Sequence, residues 1–293
     1  MNTVSFVIVI LSALMHAVYS ALIKSSENKT IFIWSIYSFA VIIIFAVSPF
    51  LTREFLIPDQ WGVLLYAALS GLFFTFYNLF AGKAYSSEQG DLSISYPLST
   101  TAPIYIPAWA YFSLNEAISP QALLGILVVV IGAYLIQLNS PLGHLRLRKV
   151  SFRNKAVRYA LLAGFLYSFG AIADKIGVMR SNFFVFTTCV IVLMFIYFTG
   201  VVLGSRRLRS QIFQSYRNTP FKVMLSGTVL FLSFYLFRYA LGIAKVSYAA
   251  SVRQVASLFG VLLGIYILGE PYGPLRLIAT LFIVLGIVLI KMG

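Results

Sequence analysis

Arg253 is the residue whose type and position in this sequence point most directly to binding chemistry. It lies in a long apolar stretch, beside Gln254 and one helical turn before Ser257. A charged side chain near the middle of a membrane costs about 2.5 to 3.5 kcal/mol on insertion scales, so it normally faces a cavity or a partner. A guanidinium group matches the geometry of a carboxylate or a phosphate. We therefore expect Arg253, Gln254 and Ser257 to bind an anionic group of a small molecule.

Other interpretations of Arg253 remain open at the level of sequence. The side chain can pair with Asp174, which would favour a neutral or zwitterionic substrate, or extend to the membrane interface. Arg238 and Lys245 are predicted on the same side of the membrane. Convergence of these two cations with Arg253 would favour phosphorylated sugars or nucleotide-linked compounds.

Polar and aromatic side chains in other apolar stretches are candidates for the walls of a cavity. The segment 97–107 contains three prolines, which remove backbone donors and kink a helix, and such helices belong beside cavities. Tyr96 and Ser99 can present hydroxyls from one face of that helix. His16 can titrate near neutral pH, so it is a candidate both for substrate binding and for proton coupling. The remaining predicted binding residues are Tyr167, Tyr235, Asn78 and Arg238.

Acidic side chains are predicted only at the ends of the apolar stretches. Proton coupling is therefore assigned to His16 or Asp174, with facilitated diffusion and substrate exchange equally open. Glu116 and Glu270 precede helix starts, where a carboxylate can accept hydrogen bonds from free backbone amides. The chain has two histidines and one cysteine, and it lacks the motifs of hydrolases, zinc proteases and phosphate-binding loops. No catalytic residue, metal site or cofactor is predicted.

The elements that position these residues are membrane-spanning helices. Hydrophobic residues make up 60% of the 293-residue chain and charged residues 10%, and the mean hydropathy is +0.91. This composition leaves too little polar surface for a soluble globule and predicts an all-α polytopic membrane protein. The ten predicted transmembrane helices are 3–23, 31–51, 62–83, 92–112, 121–138, 157–174, 183–204, 221–241, 248–268 and 275–290.

A repeat divides these helices into two groups of five. The junction NEAISP at 115–120 aligns with GEPYGP at 269–274, and each is followed by an apolar helix. We expect a first five-helix repeat at 1–140, a basic linker loop at 141–156 and a second repeat at 157–293. An odd number of spans per repeat inverts the second half relative to the first, which is typical of transporters with a site between the halves.

The net charge of +14 comes largely from two loops, around 146–158 and 206–222. The positive-inside rule places these basic loops in the cytoplasm of a multi-pass cell (inner) membrane protein, with both termini outside. No aromatic residues alternate with the basic ones, so the expected partners are membrane lipid and a small-molecule substrate, not nucleic acid. The expected assembly is a monomer or a weak homodimer.

The junctions, together with LSISYPL at 92–98 and VSYAASVRQ at 246–254, resemble the drug/metabolite transporter superfamily, and the EamA-like branch most of all. The resemblance covers essentially the whole chain. It implies a ten-helix basket around a central cavity and a secondary transporter, an exporter of amino acids or related metabolites. A phosphorylated-sugar or nucleotide-linked exchanger and a multidrug exporter are the alternatives. Some members are described with cytoplasmic termini, whereas the charge distribution favours the opposite.

Overall fold

The computed structural model describes residues 1–50, 61–85, 98–135, 154–268 and 274–293, and all regular structure in these ranges is helical. The long helices are α1 (Thr3–Lys24), α2 (Lys29–Val47), α3 (Trp61–Tyr85), α4 (Ala102–Leu114), α5 (Pro120–Leu135), α6 (Lys155–Arg180), α7 (Phe183–Leu203), α8 (Pro220–Ile243), α9a (Val246–Val252), α9b (Val255–Leu268) and α10 (Pro274–Met292). A short 3₁₀ helix (Ser48–Phe50) follows α2. Two short helices, Arg206–Arg209 and Gln214–Asn218, lie between α7 and α8.

Six of these helices, α1, α2, α3, α6, α7 and α8, are long and apolar enough to cross a membrane. Within the described ranges, the predicted fifth and tenth spans contain shorter apolar helices, and the fourth and ninth are interrupted. The prediction for the sixth span was wrong at its end, because α6 continues past Asp174 to Arg180. The charged pair Asp174 and Lys175 lowers the hydropathy there, but contacts to α8 satisfy both side chains inside the protein.

The contacts between helices follow the predicted repeat. Each helix of the first half has a counterpart in the second half, five numbers later. α1 packs on α8, and their counterparts, α6 and α3, pack on each other as well. In the same way, the contact α1–α9b corresponds to α6–α4, and α2–α8 corresponds to α7–α3. The contacts α2–α7 and α5–α10 each join a helix to its own counterpart. A two-fold relation between the halves produces this pattern of contacts.

The helices α5 and α10 approach each other at glycine residues. A Cβ atom on Gly125 would lie 2.7 Å from the carbonyl oxygen of Gly286, and one on Gly286 would lie 2.6 Å from the carbonyl oxygen of Gly125. Neither distance is compatible with a side chain, so glycine allows the two backbones to touch. In lipid there is no hydrophobic driving force between helices, and small residues at an interface allow the close van der Waals packing that stabilises it.

The buried side chains form two hydrophobic cores. One contains the first half of α1, α4, α5, α10 and the adjoining ends of α6, α8 and α9a. The other contains the end of α1, α2, α3, α7 and the remaining part of α8. In α1, Ala13 belongs to the first core and Tyr19 to the second, so His16 lies at the junction between them.

Candidate functional site

The ninth span breaks at Arg253 and Gln254. The backbone amides of Gln254, Ala256 and Ser257 donate to carbonyls three residues earlier, at 3.1, 3.0 and 2.9 Å, in place of the four-residue spacing of an α-helix. The fourth span is interrupted at Thr100 and Thr101. At the register that aligns Glu116 with Glu270, Ser99 aligns with Arg253. The two breaks therefore occupy equivalent positions in the repeats, and interrupted helices at corresponding positions are a mark of transporter binding sites.

Arg253 projects from its break towards α1 and α8. Its Nη2 lies 3.3 Å from Ser233 Oγ and 3.5 Å from His16 Nδ1, and its guanidinium lies 4.0 Å from the centre of the Phe237 ring. The side chain is half-buried, and its Nε is buried without a hydrogen-bond partner. Among the described residues, no carboxylate lies within ion-pair distance of Arg253. The arginine thus keeps donors for a further anionic group.

His16 connects Arg253 to the end of α1. Tyr19 Oη lies 2.5 Å from His16 Nδ1, the same nitrogen that faces Arg253. An arginine can only donate hydrogen bonds, so the contact with Arg253 is a hydrogen bond only when Nδ1 carries no proton. Ser12 and Ser233 join α1 to α8 beside this group, since each hydroxyl donates to the backbone carbonyl of the other at 2.9 Å.

Asp174 pairs with Arg238, not with Arg253. Its Oδ1 and Oδ2 lie 3.0 and 2.9 Å from Arg238 Nη2, and Ser70 Oγ donates to Oδ1 at 2.5 Å. Both charged side chains are almost fully buried, at 2% and 3% exposure. The expectation that carboxylates occur only at span ends was therefore wrong for Asp174, which joins α3, α6 and α8 inside the protein.

Further polar contacts tie helix ends together beyond this ion pair. Lys175 Nζ donates to the carbonyls of Leu241 and Ala244 at 2.7 and 2.8 Å, at the C-terminal end of α8. Glu116 Oε1 accepts from the amide of Val246 at 3.1 Å. Glu116 was expected to cap the helix that follows it, but it caps α9a instead. The Lys245 ammonium donates to a backbone carbonyl in the α4–α5 connection. The ends of α4, α6, α8 and α9a are thereby held together.

A cavity of about 1280 Å³ opens at the opposite ends of α6 and α8. We call it the vestibule; it lies among the α1–α2 turn, the last turns of α3, the first turns of α6 and the α7–α8 connection. Its described lining includes Asn78 but neither Arg253 nor His16.

The other predicted binding residues are placed on several helices. Tyr235 is buried and its hydroxyl lies 2.7 Å from Thr188 Oγ1, while Tyr167 packs between the rings of Phe74 and Tyr77. Asn78 Nδ2 donates to the carbonyl of Phe74 at 2.7 Å. Ser99 is buried beside Gly164 of α6. Gln254 and Ser257 are half-buried at the break, and Tyr96 lies outside the described residues, as does Glu270.

Sequence reasoning missed two neighbours of Arg253. Ser233 is a hydroxyl inside an apolar span and could have been found as such. Phe237 carries no distinguishing signal among 26 phenylalanines. Trp109 of α4 stacks on Phe169 and donates to Ser168 Oγ at 3.1 Å, so it joins α4 to α6.

Comparison with known proteins identifies the family. The model of the EamA-like transporter family matches the chain twice, at residues 3–138 and 154–292. A solved structure, described only as the crystal structure of a protein, superposes with a TM-score of 0.73 at 15% identity, over 100% of this chain and 98% of the other. At this identity the likeness shows the fold alone. No curated protein matches the chain in sequence. With both halves matched by the family model, the chain belongs to the EamA-like transporter family, whose members are membrane transporters of small molecules.

Proposed function

We propose that this protein is a secondary transporter that exports amino acids or related small metabolites, and that Arg253 binds the carboxylate of the substrate. The observation that carries the proposal is a half-buried arginine in a helix break, between the two halves, with no carboxylate paired to it among the described residues. A guanidinium at this position is costly without an anion beside it. An anionic ligand bound to Arg253 would offset that cost.

The environment of Arg253 favours a carboxylate over a larger polyanion. A phosphorylated-sugar or nucleotide-linked substrate was expected if Arg238 and Lys245 converged on Arg253. Instead Arg238 is held by Asp174, and the Lys245 ammonium is bound to a backbone carbonyl. A single guanidinium with nearby hydroxyl and imidazole groups fits one carboxylate and its polar neighbours. The guanidinium of Arg253 repels cations, so this site does not favour a multidrug exporter of cationic compounds.

His16 supplies a route for proton coupling in this proposal. Protonation of Nδ1 would place an imidazolium 3.5 Å from the guanidinium of Arg253, and two like charges at that distance repel. A substrate carboxylate bound to Arg253 removes that repulsion. Substrate and proton then bind together and move in the same direction, with His16 as the coupling residue. Export in this scheme is driven by the outward gradient of the substrate. Asp174 is engaged by Arg238 and Ser70, so it serves to hold three helices and not to carry the proton.

The difference between the two ends of the structure supports the proposal of alternating access. The vestibule opens on one side, while the contacts of Lys175 and Glu116 hold the helix ends together on the other. We place the vestibule and the basic loops in the cytoplasm of the inner membrane, in two inverted repeats of five helices. Accessibility tags beside Arg148 and Arg207 should react only from the cytoplasmic side. Reaction from outside would reverse this orientation.

Counterflow in proteoliposomes tests the role of Arg253. Vesicles are loaded in turn with amino acids, phosphorylated sugars, nucleotides and cationic drugs, and exchange of labelled compound is measured. Arg253→Gln should abolish exchange of the carboxylate-bearing class. Arg180→Gln is the matched control, because Arg180 is exposed and lies 4.9 Å over the ring of Tyr66, away from the break. Wild-type exchange by Arg253→Gln would remove this residue from the site.

A further inference from the structure

The vestibule is lined by charges of predominantly one sign. Its described lining contains five cations, namely Lys29, Lys83, Lys155, Arg207 and Lys222, and one carboxylate, that of Glu27. The five cationic side chains come from α2, α3, α6, α8 and the α7–α8 connection, so they surround the opening from several directions. A cleft with low-dielectric walls and one sign of charge focuses the field and concentrates ions of the opposite sign.

Lys83 shows that at least part of this charge is held at the cavity wall. Its ammonium lies 5.4 Å from the centre of the Phe80 ring and 5.9 Å from that of Tyr159. Aromatic faces attract a cation without neutralising it. The charge therefore remains available to the cavity. Asn78 lies one helical turn deeper on α3 and also lines the vestibule.

Membrane orientation alone does not explain the arrangement. A topology signal requires basic residues on one side of the membrane, but it does not require them to line a cavity. The short helix Arg206–Arg209 distinguishes a topology signal from a cavity lining. Arg207 lines the vestibule, while Arg206 and Arg209 are exposed outside its lining. All three would serve equally as a topology signal.

We infer that the vestibule is an anion-attracting antechamber, which concentrates small organic carboxylates at the side of the basic loops before they reach Arg253. The inference rests on the proposed function and extends it, since it assigns the net charge of the substrate at entry and a second set of residues that act on it. Arg253 binds the anionic group, whereas the vestibule raises the rate at which anions arrive.

Thiol labelling tests the field in the vestibule without knowledge of the substrate. In a Cys189→Ala background, Gly82→Cys places a thiol in the lining, where a Cβ atom would meet nothing within 4 Å. Gly62→Cys is the matched control: it is also on α3, its Cβ position is equally open, and it lies near the other end of the helix. The probes are two methanethiosulfonates, one carrying a sulfonate and one a trimethylammonium group, applied to protein purified in a neutral detergent.

The ratio of sulfonate to trimethylammonium labelling rates is expected to be about tenfold higher, or more, for Gly82→Cys than for Gly62→Cys at low salt. It should fall towards the control ratio in 1 M salt, where the Debye length is about 3 Å. Adding Lys83→Gln and Arg207→Gln should lower the ratio several-fold. Adding Arg206→Gln and Arg209→Gln, which removes the same net charge, should leave it unchanged. Equal ratios at the two thiols, equal effects of the two double substitutions, or no labelling at Gly82→Cys would overturn the inference.

The outcome is separable from that of the proposed function. Lys83→Gln with Arg207→Gln should raise the KM of transport and leave kcat unchanged, whereas Arg253→Gln should abolish transport and retain the labelling ratio. If the labelling ratio at Gly82→Cys equals that of the control while Arg253→Gln still abolishes transport, the antechamber alone is refuted. A normal ratio with wild-type transport by Arg253→Gln would refute the proposed binding site alone.

Discussion

Replacing Asp174 by asparagine removes the carboxylate that neutralises Arg238. The two side chains are 2% and 3% exposed and in contact at 2.9 Å, so solvent screens little of the interaction. Removing one partner of a buried pair costs about 3 to 5 kcal/mol, because the other charge is left buried without compensation. Asp174→Asn and Arg238→Met should each lower the free energy of unfolding by this amount, which is a factor of about 100 or more in the folding equilibrium.

The double substitution shows whether the pair is the cause. Replacing both buried charges by groups of similar volume is often neutral or stabilising. Asp174→Asn with Arg238→Met should therefore be more stable than either single variant. The free energies are measured by denaturant titration in mixed micelles and combined in a double-mutant cycle. Losses below about 1 kcal/mol in both single variants, or a double variant that equals their sum, would refute the ion-pair reasoning.

Two further predictions concern helix contacts. Gly286→Ala should destabilise the fold by about 1 to 3 kcal/mol, because its Cβ would lie 2.6 Å from the Gly125 carbonyl oxygen, while Gly200→Ala, with nothing within 4 Å, should change stability by less than about 1 kcal/mol in the same titration. Equal effects would mean that the α5–α10 contact is not close-packed. Glu116→Ala should cost about 1 to 3 kcal/mol by leaving the Val246 amide without its acceptor, and Glu116→Gln, which keeps an acceptor, should cost less. The reverse order would exclude capping of α9a as the role of Glu116.

The class of fold was accessible from the sequence because hydropathy and the repeated junctions report on it directly. Ends and breaks of helices were less accessible. Asp174 and Lys175 looked like a span end, since hydropathy does not register that α8 supplies a guanidinium and two carbonyls to satisfy them. The break at Arg253 was likewise not predicted, although the presence of an arginine within the span was recognised as requiring a reason.

The candidate site was predictable in its residue types and less so in its pairings. Arg253 and His16 were both singled out, but their proximity depends on the rotation of α1 and α9a about their axes, which a single sequence does not contain. That Asp174 pairs with Arg238 and not with Arg253 could not be predicted for the same reason, because it also depends on how the helices are rotated about their axes. Tyr235 and Tyr167 were selected as polar groups in apolar spans, and both make contacts with neighbouring helices.

The requirement for Arg253 in ligand binding is the central claim and can be measured on the purified protein. Thermal and denaturant stability are followed against amino acids, phosphorylated sugars, nucleotides and cationic drugs for the wild type, Arg253→Gln and Arg180→Gln. A ligand at 100 times its Kd adds about 2.7 kcal/mol to the folded state. We predict this stabilisation for carboxylate-bearing metabolites in the wild type and Arg180→Gln, and its loss in Arg253→Gln. Equal stabilisation of Arg253→Gln by the same compounds, or stabilisation of all three proteins by hydrophobic cations alone, would contradict the account.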